Sequence, residues 1–126
     1  MKSIGLMTAV LVMLVFTASF VIADSATLIW VDPTTRIDGT AFSAATDASR
    51  HTVYYSASPT LSPSSYTTKI DLSATATTYT VTTLPTGTTY FIVTISDKLN
   101  QESAPSNTGS KYVLPAKPAG CTLTVN

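Results

Sequence analysis

The chain has 126 residues and a formal net charge of zero, 7 Lys+Arg against 7 Asp+Glu, with only 11% of its residues charged. That length suits one ordinary domain, and a chain without a basic field has no means of holding a phosphate backbone, which argues against a nucleic-acid partner. The single cysteine, Cys121, excludes an internal disulfide, so any fold rests on its packed core.

Residues 1–23 read as a secretory signal peptide. Lys2 precedes an apolar run from Ile4 to Ile22 that closes at Val21-Ile22-Ala23, with Asp24 following. The alternative is an uncleaved anchor, since the run approaches the roughly 20 residues of a membrane span. Thr17, Ala18 and Ser19 interrupt it where a signal weakens before cleavage. No cysteine follows the run, which excludes a lipoprotein. The expectation is a secreted protein, extracellular or periplasmic, beginning at Asp24 and free of the membrane after cleavage.

Residues 24–114 carry short alternating segments separated by turn residues, with no sustained helical period. Leu28 and Trp30 alternate along the first, which Asp32-Pro33 ends, and Asp38-Gly39-Thr40 lies in the loop beyond. His51, Val53 and Tyr55 mark a second strand, and Tyr66, Thr68, Ile70 and Leu72 a third. Tyr79 and Val81 mark a fourth, ending at Leu84-Pro85 and a turn at Gly87. Tyr90 to Ile95 is a strongly apolar fifth, and Lys111-Tyr112-Val113-Leu114 closes a sixth. Strands at this spacing predict an all-β antiparallel sandwich or barrel.

The order of these motifs resembles a bacterial fibronectin type III domain. Ala26-Thr27-Leu28-Ile29-Trp30 is similar to that family's second strand, with Trp30 as core tryptophan, and Val53-Tyr54-Tyr55 to its third. Leu84-Pro85-Thr86-Gly87-Thr88-Thr89-Tyr90 resembles the turn of a tyrosine corner, in which Tyr90 would bond back to upstream backbone. Asp97 to Asn107 is similar to the loop that opens the last strand. The resemblance implies an immunoglobulin-like sandwich and says little about activity. There are three departures. Proline precedes threonine in the corner motif. Tyr90 and Ile92 claim one face of their strand while Phe91, Val93 and Ile95 claim the other, a conflict that a bulge would reconcile, so the register around Tyr90 stays open. The family's first strand is missing, because only Asp24 and Ser25 precede the second.

Residues 115–126 form a proline-rich connector, Pro115 to Gly120, and then Cys121-Thr122-Leu123-Thr124-Val125-Asn126, which alternates as a half-buried strand does. A strand is thus missing at the start and spare at the end. The tail would enter the next molecule at the correct pole, giving head-to-tail strand donation that grows without closing. Burying Leu123 and Val125 would stabilise each joint by roughly 1.5–3 kcal/mol per side chain. The plainer alternatives are a frayed terminus or an extra hairpin strand in cis. Ile29 and Val31 would face outward beside the vacant edge, an apolar surface suited to a partner. Cys121 is read as a small apolar residue of the tail strand or, in an exported protein, as an intermolecular thiol.

No catalytic, cofactor or metal site is expected. The single histidine, His51, falls on a core-facing strand position, and most of the seven carboxylates sit in turns. Asp32, Asp38 and Asp47 share a loop, yet their spacing matches no calcium loop. Leu84-Pro85-Thr86-Gly87 resembles a sortase signal and Arg36-Ile37-Asp38 an integrin-binding tripeptide; each lacks a required residue. The expected function is a non-catalytic binding or structural module, its partner another protein or itself. The alternative is a glycan- or cell-surface-binding adhesion module, with Tyr54, Tyr66 and Tyr112 exposed to stack on sugars.

Overall fold

The computed structural model describes residues 24–126, and the expected signal peptide lies outside them. Its strands are β1 (Ala26–Ile29), β2 (Ala48–Ser56), β3 (Thr68–Ser73), β4 (Thr78–Val81), β5 (Gly87–Asp97) and β6 (Gly109–Val113), with one short helix, α1 (Ala44–Asp47), ahead of β2. All six expected strands are present. Two antiparallel sheets result, a pair β1-β4 and a four-stranded sheet in the order β3-β2-β5-β6. No helix among the described residues is long and apolar enough to cross a membrane.

The core lies between the sheets. Val81, Leu84, Phe91 and Val113 are buried there, with Ala26, Leu28, Tyr55 and Tyr79 packed against them. β1 supplies its share by strict alternation: Ala26 and Leu28 turn inward, Thr27 and Ile29 outward. Gly87, at φ 97°, makes the turn into β5 in a conformation that side-chain-bearing residues rarely adopt.

β5 reconciles its two apolar faces without a bulge at Tyr90. Its pairing with β2 runs unbroken from Arg50↔Ser96 to Ser56↔Tyr90, and the one register shift falls at Ala48/Arg50. Both faces of β5 are buried instead. Phe91, Val93 and Ile95 face the core; Ile92 and Tyr90 join Tyr54 and Leu61 in a second cluster on the outer face. The segment between β2 and β3 roofs that cluster, folded on itself by the Ser62↔Ser65 bridge and tied to the sheet by Thr67 N–H donating to the Tyr55 carbonyl at 3.2 Å. Tyr90 therefore stands on the outer face rather than in a corner over the core. No hydrogen bond of its hydroxyl is found among the described residues.

The tail forms no strand in the single chain. Cys121 to Asn126 are exposed, and Leu123 and Val125 keep 84% of their surfaces.

Candidate functional site

The histidine and the carboxylates are spent locally. His51 is buried, its ring centroid 5.5 Å from that of Trp30. Its Nε2 lies 2.7 Å from Asp32 Oδ1 and its Nδ1 3.0 Å from the Ser73 carbonyl, so both ring nitrogens are engaged by groups of the protein itself. Asp38 accepts from the Thr40 hydroxyl at 2.6 Å and the Thr40 backbone N–H at 3.0 Å, bonds that hold its carboxyl below the usual range. Asp47 is lowered chiefly by the Ser43 backbone N–H, with Arg36 alongside. Asp32, Asp38 and Asp47 thus serve three separate partners and do not converge. No group of three or more metal-ligating side chains is found among the described residues.

The tyrosines fall differently from expectation. Tyr54 is buried, its ring tilted 58° against that of Tyr66 with centroids 5.0 Å apart, its hydroxyl donating to Glu102 Oε1 at 2.5 Å. Glu102 Oε1 also accepts from the Thr94 hydroxyl at 2.6 Å. Burial and then that carboxylate push the Tyr54 hydroxyl well above the ordinary tyrosine value. Tyr54 is not available to a sugar, whereas Tyr66 and Tyr112 are exposed.

The feature with an open chemistry is β1. It pairs with β4 on one side, through Ala26↔Val81 to Ile29↔Thr78. Trp30 N–H donates to the Thr77 carbonyl at 3.0 Å, the Leu28 carbonyl accepts from the Thr78 hydroxyl at 2.9 Å, and the Asp24 carbonyl accepts from Leu84 N–H at 3.1 Å. Even-numbered residues therefore turn their peptide groups toward β4. By the alternation of an antiparallel ladder, Thr27, Ile29 and Val31 turn theirs to the opposite side, where no described strand pairs with them.

Beside that edge runs a groove of about 530 Å³, between β1 and the stretch Ser106 to Lys111. Leu28, Trp30, Phe91 and Val93 line it, so the core between the sheets reaches the surface here. Trp30 is half-buried, and its Nε1 is buried with no hydrogen-bond partner among the described residues. Ile29 and Val31 flank the edge outward with 79% and 93% of their surfaces exposed. Lys111 Nζ lies 3.8 Å from Asp24 Oδ1 at one end of the groove, while Trp30 and Val31 meet Pro105 and Ser106 at the other. β1 and β6 therefore run in opposite directions along its two walls.

Trp30, Ile29 and Val31 are thus brought together at one edge. Tyr90 belongs to the outer-face cluster, and Cys121, Leu123 and Val125 stay apart in the exposed tail. The adjoining groove was not legible in the sequence, because it needs Phe91 and Val93 to pass beneath β1. The alternation of β1, with apolar Ile29 and Val31 on its outward side, was the available signal. No family model matches the chain, and no curated protein or solved structure is significantly similar to it.

Proposed function

We propose that this protein is an exported, non-catalytic module of the fibronectin type III kind that works by accepting a strand from a protein partner. The carrying observation is the free edge of β1 beside a groove at which the core residues Leu28 and Phe91 come to the surface. An extended peptide laid there completes the ladder through the peptide groups of Thr27, Ile29 and Val31. Its inward side chains cover Leu28, Trp30, Phe91 and Val93. A two-stranded sheet is marginal alone and gains from a third strand.

The test is NMR-detected hydrogen exchange on protein exported from cells expressing the full chain. The Thr27, Ile29 and Val31 amides exchange at open-chain rates in the monomer and become protected when a strand-forming partner binds. Slow exchange of all three in the isolated monomer overturns the proposal. Export itself is read from intact mass, expected to begin at Asp24.

A second reading rests on the outer face of the larger sheet. Tyr66 packs at a tilt against outward-facing Tyr54, and Tyr90 and Tyr112 fall on the same face by their register; Tyr66, Tyr90 and Tyr112 are all partly exposed. Tyrosine rings with one open side suit stacking on sugars. A glycan array separates the readings, because substituting Tyr66 and Tyr112 by alanine removes sugar binding and leaves strand acceptance intact.

A further inference from the structure

Resting on that strand-accepting reading, we infer that the occupant of the groove is the segment Cys121–Val125 of a second copy of this chain, laid antiparallel to β1. Four observations meet in this assignment. The segment alternates Cys121, Leu123 and Val125 with Thr122 and Thr124, the pattern of a strand with one buried face. Leu123 and Val125 are almost wholly exposed in the single chain, so its own tail leaves the groove open. The groove is lined on one part by Leu28, Trp30, Phe91 and Val93 and on another by the uncharged polar residues Ser106, Asn107 and Ser110, with Lys111 and Asp24 at its end, which matches an uncharged strand that alternates apolar and polar residues. The fourth observation is direction.

β6 finishes at the Asp24 end of the groove, and the tail leaves from there. A strand antiparallel to β1 must start at the Trp30 end and finish at the Ala26 end. A tail reaching this position in its own molecule has to climb the length of the groove and reverse at Gly120. A tail carried straight on through Pro115 to Gly120 meets the Trp30 end of the next molecule already pointing the right way. The contact is head-to-tail, so it propagates into a filament.

The parity of the edge, with the five residues Cys121–Val125 laid along the whole of Ala26 to Trp30, sets a register. Leu123 falls opposite Leu28, Val125 opposite Ala26 and Cys121 opposite Trp30, all facing inward. Thr122 and Thr124 fall opposite Ile29 and Thr27, whose peptide groups point at the incoming strand. The opposite register would turn Leu123 and Val125 to solvent.

The test uses exported protein from the full chain carrying C121S. One preparation carries Ile29→Cys and a second Thr122→Cys, both at exposed outward positions. Under mild oxidation the mixture is expected to give a disulfide-linked heterodimer. Thr124→Cys in place of Thr122→Cys is expected to give much less. In the otherwise native chain, Leu123→Asp is expected to weaken self-association in sedimentation by at least about tenfold, the loss of one buried leucine. That residue touches no folded element in the monomer, so the fold is unaffected. No heterodimer, equal yields at residues 122 and 124, or unchanged association of Leu123→Asp overturns the assignment. So does a chain carrying both Ile29→Cys and Thr122→Cys that closes on itself as a monomer, since its tail then occupies its own groove. Hydrogen exchange keeps the two failures apart. An edge already protected in the monomer sinks strand acceptance itself, while an open edge without cross-links sinks only this choice of occupant.

Discussion

Glu102 joins three parts of the chain through one oxygen. Its carboxylate accepts from Tyr54 on β2 and Thr94 on β5 while itself lying in the loop that leads toward β6. Glu102→Ala leaves both hydroxyls without that partner, and urea unfolding is expected to show a loss of about 1–3 kcal/mol. Glu102→Gln, which keeps an acceptor, is expected to lose less. The same contact sets an alkaline limit. Because burial and Glu102 raise the Tyr54 hydroxyl above its ordinary value of 10.0, its contribution to stability is complete below that value and is lost as pH rises through the folded-state value. In an ultraviolet titration the Tyr54 phenolate is expected to form only together with unfolding, and Tyr54→Phe removes that late step. Tyr54 also marks where reading the chain fails. Its alternation with Val53 and Tyr55 rightly turns it away from the core, but nothing local says that Tyr66 and a carboxylate 48 positions away will cover it.

At the scale of elements, every strand was legible, but what covers the second face of β5 was not. β1 and β3 alternate cleanly between half-buried and exposed. β5 is apolar on both sides because the β2–β3 segment folds back as a roof, and a sequence shows the surplus of apolar residues without showing what covers them. Leu61 is the roof's buried anchor. Leu61→Ala is therefore expected to cost about 2 kcal/mol, the low end for a buried leucine, since a surface segment can settle into part of the gap; thermal unfolding checks it. α1 escaped notice for a different reason. It is a single turn whose Asp47 side chain accepts from Ser43 N–H, too short to leave a period. With Asp38 and Asp47 both held below their ordinary 3.8, the loop's carboxylate bonds are complete above that pH and are lost as it falls through the lower folded-state values. Amide shifts of Thr40 and Ser43 are expected to move in acid before those of β2.

At the scale of the whole molecule, the two sheets are unequal, and the inequality shapes how stability should respond to concentration. The four-stranded sheet carries buried clusters on both faces, whereas β1 and β4 form a two-stranded ribbon whose β1 edge lies beside the core. A strand that binds only the folded chain stabilises it by mass action, about 2.7 kcal/mol when free partner exceeds the dissociation constant a hundredfold. For a domain of this size each kcal/mol moves Tm by about 4–8 °C, so saturation is expected to raise Tm by something on the order of 10 °C. If the bound strand comes from a second copy, that rise follows the protein's own concentration and vanishes in Leu123→Asp. If it comes from another protein, Tm is independent of self-concentration and rises only when that partner is added. A scan of Tm against concentration therefore reads, in one series, whether the exposed tail and the open edge belong to the same joint.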